Sequence, residues 1–196
     1  MFTGIIQDIG FLNSYNEGVY KIITQLNLTD CNEGSSISCN GVCLTAKNIK
    51  KNNDNTFSFE VNIGEETLLR TNLGKSTIKN KKINIEKSLK IGDEIGGHFV
   101  YGHVDSTTTI NKIITLENSW EYHFKKDFRE NNKFIVEKGS IAINGISLTI
   151  ALVTDNSFMV SVIDHTFNNT NLNSSKVNDH VNIEYDYLSR FVLKNE

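Results

Sequence analysis

The sequence predicts an all-β protein made of two similar antiparallel barrels or sandwiches in tandem. One observation is a repeat: residues 40–45, Asn-Gly-Val-Cys-Leu-Thr, return as residues 144–149, Asn-Gly-Ile-Ser-Leu-Thr. A second is that short apolar runs with alternating polar residues dominate both halves, a pattern typical of strands. The third is length, because 196 residues divide into two halves of ordinary domain size.

Three further pairs of segments support the internal duplication, because they follow the same order at a nearly constant offset. Residues 3–6 match residues 101–104, residues 66–73 match residues 165–172, and residues 83–86 match residues 181–184. The second copy is therefore predicted to restart near Gly96-Gly97. The repeated motif differs in one reactive atom, since Cys43 stands where the second copy has Ser147. That difference suits a protein that holds two similar molecules and treats them differently.

The predicted strands alternate apolar and polar residues or form short apolar runs. They are residues 19–24, 36–39, 56–63 and 82–86 in the first half, and 107–114, 122–124, 140–143, 147–153, 158–163 and 181–185 in the second. Turn-forming residues separate them at 53–55, 90–93 and 155–157.

Few helices are predicted. Residues 65–69 form a short helical turn with acidic residues at its positive end, and residues 165–167 are its counterpart. Residues 186–194 form a terminal helix in which Asp186 is the candidate cap. Leu188, Phe191 and Val192 fall on one face of this helix, and we expect another subunit to cover that apolar stripe.

Composition excludes several classes of partner. The net charge of −3 offers no electrostatic basis for binding nucleic acid or an anionic membrane. The lysines at residues 79–82 are expected to form a solvated turn rather than a binding patch. No apolar run is long enough to span a bilayer, and the N-terminus has no basic start, so we expect a cytoplasmic protein.

The candidate reactive side chains each have a structural alternative. The three cysteines form no disulfide framework and no zinc set, so reduced thiols are expected. Cys43 alone is typical of a buried thiol, and nothing adjacent to Ser147 in the sequence supplies the histidine of a nucleophile triad. His103 is a site residue or a turn histidine, and His98 is expected to be structural. Asp186 is a helix cap, a catalytic group, or both.

The ordered set of motifs resembles the riboflavin synthase family over residues 1–187. The strings that carry the resemblance are residues 1–6 (MFTGII), 40–45, 66–68 with 71–74, 96–104 (GGHFVYGHV) and 145–149. The resemblance implies two six-stranded Greek-key barrels, residues 1–97 and 98–186, and an oligomerisation helix, residues 187–196. It also implies a homotrimer, no metal or cofactor, and leaves open an association with lumazine synthase.

The activity implied by the resemblance is a dismutation of two molecules of 6,7-dimethyl-8-ribityllumazine. One molecule gives a four-carbon unit to the other, which forms riboflavin and 5-amino-6-(D-ribitylamino)uracil. A base must remove a proton from the C7 methyl of one molecule, and a nucleophile or water must activate C7 of the other. In the family, the reacting pair forms between the N-terminal barrel of one chain and the C-terminal barrel of its neighbour.

The resemblance also assigns site residues. The catalytic candidates are Phe2, Cys43, His103, Ser147 and Asp186. The N-terminal site is expected to contain Phe2, Thr3, Gly4, Cys43 and Thr45, and the C-terminal site Gly102, His103, Ser147, Thr149, Thr166 and Asp186. The full set of substrate-binding candidates is Thr3, Gly4, Ile5, Ile6, Cys43, Leu44, Thr45, Asn62, Ile63, Gly64, Glu65, Glu66, Thr67, Gly102, His103, Val104, Lys138, Ser147, Leu148, Thr149, Ser161, Val162, Ile163, Asp164, His165 and Thr166.

Two questions stay open at this stage. The activating pair is Ser147 with Asp186 or His103 with Ser147. The main alternative function is a non-catalytic protein that binds lumazine or flavin, as the fluorescent relatives of this duplicated fold do. A flavin-dependent oxidoreductase is disfavoured because the chain has no G-x-G-x-x-G loop.

Overall fold

A computed structural model describes residues 1–16, 18–74, 80–126 and 133–193, and within these ranges the chain is almost entirely β. The strands are β1 Asp8–Asn16, β2 Val19–Thr24, β3 Ser36–Cys39, β4 Val42–Thr45, β5 Lys47–Lys51, β6 Phe57–Asn62, β7 Lys81–Lys87, β8 Ser106–Thr115, β9 Ser119–Lys125, β10 Ser140–Ile143, β11 Ile146–Val153, β12 Ser157–Ile163 and β13 His180–Tyr185. The α-helices are α1 Glu65–Arg70, α2 Asp164–Asn168 and α3 Tyr187–Leu193.

The two halves share one antiparallel topology. The second half is a closed barrel with the strand order β10-β11-β12-β9-β8-β13. The first half has the order β4-β3-β7-β1-β2-β6-β5, which is the same order if β4 and β5 are two parts of the strand that corresponds to β11. The prediction of two tandem six-stranded Greek-key barrels is therefore confirmed.

The strand that corresponds to β11 is divided in the first barrel between Thr45 and Lys47, and β5 is irregular just beyond this break. Asn48 has a positive φ of 49°, and the pairing of β5 with β6 shifts register between Lys47 and Lys50. Asparagine tolerates this left-handed conformation better than most residues. β11 bends more gently, with one register shift between Ile150 and Leu152.

Each barrel has its own hydrophobic core. In the first barrel, residues on alternate positions of the strands point inward, as Tyr20 and Ile22 do on β2. In the second, Phe124, Ile150 and Val160 are completely buried in an equivalent cluster. Burial of an aliphatic or phenylalanine side chain of this size contributes about 1.5–3 kcal/mol, so these inward faces define the register of the strands.

Three observed strands were not predicted. β1 contains Asp8, Gly10 and Asn13, which weaken an alternating pattern. β5 reads Lys-Asn-Ile-Lys-Lys and is mostly exposed, so it carries almost no apolar signal. β4 is only four residues long and follows an Asn-Gly turn. In all three cases the ladder of hydrogen bonds to neighbouring strands decides the structure, which propensity alone does not reveal.

The predicted helices are present. α1 begins with Glu65 and Glu66, and α2 occupies the equivalent place after β12. Asp186 precedes α3, and its Oδ1 accepts a hydrogen bond from the backbone N–H of Leu188 at 3.0 Å, so the side chain caps the helix. Leu188 and Val192 are 66% and 67% exposed. Of the lysine cluster at 79–82, Lys79 lies outside the described residues.

A network of asparagines joins the barrels about a pseudo-twofold axis. Asn182 accepts a hydrogen bond from the backbone N–H of Asn72 at 2.6 Å and donates to the carbonyl of Asn40 at 2.8 Å. Asn84 makes the equivalent bonds to the N–H of Asn171 at 2.7 Å and to the carbonyl of Asn144 at 3.0 Å. These groups are buried, so each pair of amides satisfies polar groups that water cannot reach.

A small apolar cluster lies beside this network. Phe2 and Val100 form an antiparallel bridge, with N···O distances of 2.7 and 3.0 Å, and their side chains pack with Ala142 and Cys43. The two half-sequences therefore contact each other through the segments that precede their first strands. Among the described residues, no helix is long and apolar enough to cross a membrane.

Candidate active sites between the two barrels

The segment before the first barrel reaches into the second barrel. The carbonyl of Gly4 accepts a hydrogen bond from the backbone N–H of Ser147, on β11, at 2.8 Å. Gly4 has a φ of +76°, and a Cβ at this position would lie only 2.6 Å from the Cβ of Ser147. Only glycine allows both this conformation and this close approach.

The equivalent segment of the second half reaches into the first barrel. The carbonyl of Gly102 accepts a hydrogen bond from the N–H of Cys43 at 2.9 Å. Gly102 has a φ of +78°, and an added Cβ would lie 2.6 Å from the Cβ of Cys43. Each candidate site therefore combines residues of both halves.

This exchange of segments corrects the expected grouping of the site residues. Gly4 was assigned to the site of Cys43, and Gly102 to the site of Ser147. The structure instead places Gly4 against Ser147 and Gly102 against Cys43. The reason is that residues 1–7 and 99–105 lie outside the named strands and helices, and their path depends on contacts far away in the sequence.

The Ser147 site has a histidine partner that the sequence did not reveal. Nδ1 of His98 lies 2.7 Å from Oγ of Ser147. Gly97 makes this approach possible, because a Cβ there would lie 2.1 Å from the carbonyl oxygen of Thr3 and 2.8 Å from Oγ of Ser147. His98 was expected to be structural, but the structure places its side chain against the hydroxyl of Ser147, so it joins the candidate site residues.

Burial lowers the pKa of His98, and the nearby charge of Asp186 opposes that shift. Burial therefore favours the neutral form of the imidazole. In the tautomer with its proton on Nε2, Nδ1 accepts the hydrogen bond from the hydroxyl of Ser147, which is the arrangement needed to take up its proton.

The two activating pairs considered from the sequence are not formed by direct hydrogen bonds in the part of the chain that the structure describes. His103 is held by its backbone, whose N–H donates to Glu184, and its ring lies 6.2 Å from that of Tyr101. Asp186 caps α3 and acts on His98 through its charge. The sequence could not show this, because His98 lies 49 positions from Ser147.

The Cys43 site has a different character. Cys43 is half-buried and packs against the cluster of Phe2, Val100 and Ala142. Phe2 is completely buried there, so its ring supports the site rather than lining it. Cys39, four residues earlier, lies in the core of the first barrel, and burial raises the pKa of its thiol. The two sites thus differ in the side chain at the repeated position, a thiol in one and a hydroxyl in the other, and in the histidine beside Ser147.

Two buried carboxylates accept hydrogen bonds from the segments that cross between the barrels, residues 1–7 and residues 99–105. Neither carboxylate was predicted as a site residue. Glu86 accepts hydrogen bonds from the N–H and Oγ1 of Thr3 at 2.8 and 3.0 Å, and from the N–H of Gly4 at 3.1 Å. Glu184 accepts from the N–H groups of residues 101, 102 and 103 at 2.6, 2.8 and 2.9 Å. Both glutamates end a repeated Asn-Ile-Glu motif, at residues 84–86 and 182–184, which indicated the duplication but not a role in the sites.

Both carboxylates are almost completely buried. Burial raises the pKa of Glu86 and of Glu184, while the hydrogen bonds from the backbone oppose the rise. A buried carboxylate is tolerated only when its oxygens accept such bonds.

A cavity of about 70 Å³ lies beside Ser147. Its lining combines predicted residues from three segments with residues that were not predicted. The predicted ones are Gly4, Ile5, Ile6, Ser147, His165 and Thr166, and the others are Ile146, Asn169 and Thr170. Ser147 and Thr166, which were expected in one site, both line this cavity, and Gly4 lines it too although it was expected beside Cys43.

The other predicted binding residues do not line the cavity beside Ser147, and most of them lie on strands or where a strand leads into a helix. Asn62, Gly64, Glu65, Glu66 and Thr67 lie where β6 leads into α1, and Ser161, Ile163 and Asp164 where β12 leads into α2. Thr45 and Thr149 lie on β4 and β11. The side chains of Leu44, Ile63, Leu148 and Val162 belong to the barrel cores, and Val104 packs against the first core, so these five are placed to offer backbone groups.

Lys138 lies in the turn before β10, with a φ of +64° and its backbone N–H bonded to the carbonyl of Ile150 at 2.8 Å. Among the described residues, its side chain makes no hydrogen bond or ion pair with either site. No group of three or more metal-binding side chains comes together in the described ranges.

The fold and the paired sites define a duplicated lumazine-binding protein. The family model for the lumazine binding domain matches residues 3–88 and residues 101–186. LumP, solved in complex with 6,7-dimethyl-8-(1'-D-ribityl) lumazine, has a similar fold, with a TM-score of 0.76 over 94% of this chain and 98% of LumP at 21% identity. That likeness concerns the fold alone.

Sequence relatives are more specific. The riboflavin synthase of Actinobacillus pleuropneumoniae is 39% identical over 203 residues, which cover 99% of this chain and 91% of the relative. The riboflavin synthase of Brucella abortus (strain 2308) is 40% identical over 198 residues, which cover 99% and 97%. The chain belongs to the riboflavin synthase family.

Proposed function

We propose that the two crossed sites bind the two identical substrates of the riboflavin synthase reaction. In this reaction, one molecule of 6,7-dimethyl-8-ribityllumazine transfers a four-carbon unit to another, which yields riboflavin and 5-amino-6-(D-ribitylamino)uracil. The observation that carries the proposal is the pair of symmetry-related sites with different reactive atoms, Cys43 in one and Ser147 with His98 in the other.

The Ser147 site is suited to moving a proton. Neutral His98 can accept the proton of the Ser147 hydroxyl through their 2.7 Å contact and return it later. Acid–base chemistry is required at both substrates, because the C7 methyl of one loses a proton while C7 of the other is attacked. We assign Ser147 and His98 to one substrate and Cys43 to the other, with His103 and Asp186 as supporting groups.

Proximity supplies much of the catalysis in this proposal. Two reactants held in register can gain about 7–11 kcal/mol of barrier lowering from prepaid entropy and avoided solvent reorganisation. The glycines at positions 4 and 102 bring backbone close to the reactive side chains, which suits sites that position a planar ring against a strand.

We also retain a homotrimer as the working assembly, with residues 1–97 and 98–186 as barrels and 187–196 as the oligomerisation segment. The support is the exposed stripe of α3, where Leu188 and Val192 are 66% and 67% exposed in the isolated chain. Apolar side chains on one face of a terminal helix are typically covered by a partner. A cytoplasmic location and an association with lumazine synthase remain parts of the proposal.

The test is direct. The purified protein is incubated with 6,7-dimethyl-8-ribityllumazine, and riboflavin formation is followed by absorbance. We expect one riboflavin for every two lumazines consumed, with the pyrimidine product in equal amount. A bound, unchanged lumazine would instead support the carrier function of the fluorescent relatives, which the presence of Cys43 and of the Ser147–His98 contact disfavours.

A further inference from the structure

We infer that Glu86 and Glu184 are positioning residues, each of which shapes the active site of the opposite barrel. The inference rests on the proposed function, because it concerns the two sites described above. Two segments cross between the barrels, residues 1–7 and residues 99–105. Each is hydrogen-bonded to a glutamate of one barrel and accepts a hydrogen bond from a site residue of the other.

The first contact is the one between Glu86 and the N-terminal segment. Glu86 belongs to β7 of the first barrel and is 3% exposed. Its two oxygens accept three hydrogen bonds from Thr3 and Gly4, at 2.8 to 3.1 Å. Residues 3 and 4 lie outside the strand ladders, so the carboxylate satisfies donors that no neighbouring strand receives.

The second contact crosses to the other barrel. The carbonyl of Gly4 receives the N–H of Ser147 at 2.8 Å, and Gly4 packs directly against that residue. The position of Ser147 relative to the first barrel therefore depends on where Glu86 holds Gly4. Glu86 itself does not contact Ser147, so its influence passes through the segment.

Glu184 takes part in the equivalent pair of contacts, which leads from the second barrel to the first. This residue belongs to β13 of the second barrel, is 5% exposed, and binds the N–H groups of residues 101–103. The carbonyl of Gly102 receives the N–H of Cys43 at 2.9 Å. Glu184 of the second barrel thus positions the thiol site of the first.

The chemistry of a carboxylate is essential to this role. Each glutamate meets only donors, and a carboxylate offers acceptors on both oxygens. A glutamine of the same shape would turn an NH₂ group toward one of these N–H donors and lose at least one hydrogen bond. Glu86→Gln and Glu184→Gln therefore loosen a segment with almost no change in volume, and each is the matched control of the other.

Amide hydrogen exchange, resolved to single residues in the intact protein, tests the crossing without using catalysis. In Glu86→Gln, we expect exchange of the Ser147 amide to accelerate about tenfold or more while that of the Cys43 amide stays unchanged. In Glu184→Gln, the Cys43 amide should accelerate and the Ser147 amide should not. Riboflavin formation is measured in parallel, so a protein that lacks synthase activity would refute the proposed function and leave the exchange result interpretable.

Thr3→Val provides a milder change of the same contact, since it removes only the 3.0 Å bond from Oγ1 of Thr3 to Glu86. It should raise the exchange rate of the Ser147 amide by a smaller factor and leave Cys43 unaffected. If Glu86→Gln fails to fold, Thr3→Val decides the question. Acceleration confined to the barrel that carries the substitution, equal acceleration of both amides, or no change at either would overturn the inference.

Discussion

Oγ of Ser147 lies 2.7 Å from Nδ1 of His98, and this contact joins a strand of the second barrel to the linker that precedes it. General acid–base groups typically contribute about 10²- to 10⁴-fold to a rate. We therefore expect His98→Ala to lower kcat by about 100-fold in the riboflavin absorbance assay. His123→Ala is the control, because His123 lies on β9, pairs with Glu121 and makes no hydrogen bond to Ser147 or Cys43. An unchanged kcat in His98→Ala would remove this histidine from the mechanism.

The lowered pKa of His98 gives a pH dependence of stability with a defined sign. A histidine whose pKa is lower in the folded protein binds its proton more tightly when unfolded, so protonation favours unfolding. As pH falls below the ordinary histidine value of about 6.5, the native chain should lose stability through this group. Between pH 7.5 and 5, the free energy of unfolding measured in urea should fall more steeply for the unsubstituted protein than for His98→Asn. Parallel curves for the two proteins would contradict the burial of a neutral imidazole.

Gly4→Ala and Gly102→Ala should destabilise the protein and reduce turnover. A left-handed conformation costs a non-glycine residue about 1–2 kcal/mol, and here the added methyl also meets another residue at 2.6 Å. Gly34→Ala is the matched control, with a φ of +89° and open space around the Cβ position. Urea unfolding should show a loss of about 1–2 kcal/mol for the control and a clearly larger loss at Gly4 and Gly102. Similar losses at all three positions would mean that the contacts with Ser147 and Cys43 are not tight.

Cys43→Ala should lower turnover more than it lowers substrate affinity, because the thiol is proposed to act on the reacting molecule. We expect at least a tenfold fall in kcat, with affinity followed by lumazine fluorescence. Cys31→Ala is the control, since Cys31 is a partly exposed thiol beside Asp30 that packs against the first barrel core and is not in the cluster around Cys43. A Cys43→Ala protein with full kcat would exclude the thiol from the chemistry.

Removal of the chain after Tyr187 should abolish assembly. The stripe of Leu188 and Val192 would be lost, and the barrels would retain their separate cores. Sedimentation is expected to show monomers, and the riboflavin assay to show little activity. Leu188→Lys with Val192→Lys keeps the helix and should give the same result. A truncated monomer with full activity would rule out sites completed by a neighbouring subunit.

Much of the fold could be predicted because its signals are local. Alternating residues such as those of β2 report which face of a strand is buried, and the repeated Asn-Gly motifs report a duplicated turn. β5 escaped prediction because its lysines carry no such alternation, and its place is set by pairing with β6.

Individual candidate residues could be named from motifs, but how they are arranged in space could not be predicted. Cys43, Ser147 and the glycines at 4 and 102 were identified from motifs, but their pairing was assigned to the wrong barrels. His98 and the two buried glutamates were missed as site residues, because each acts on a residue between 49 and 83 positions away.

The sequence by itself determined the duplication, the β class of both halves, the family and the thiol and hydroxyl that distinguish one repeat from the other. Only the tertiary structure decided that the segments before the first strands exchange between barrels and that His98 meets Ser147. The physical reason is that periodicity and motifs record local conformation, whereas the path of a connecting segment is set by distant hydrogen-bond partners and close packing.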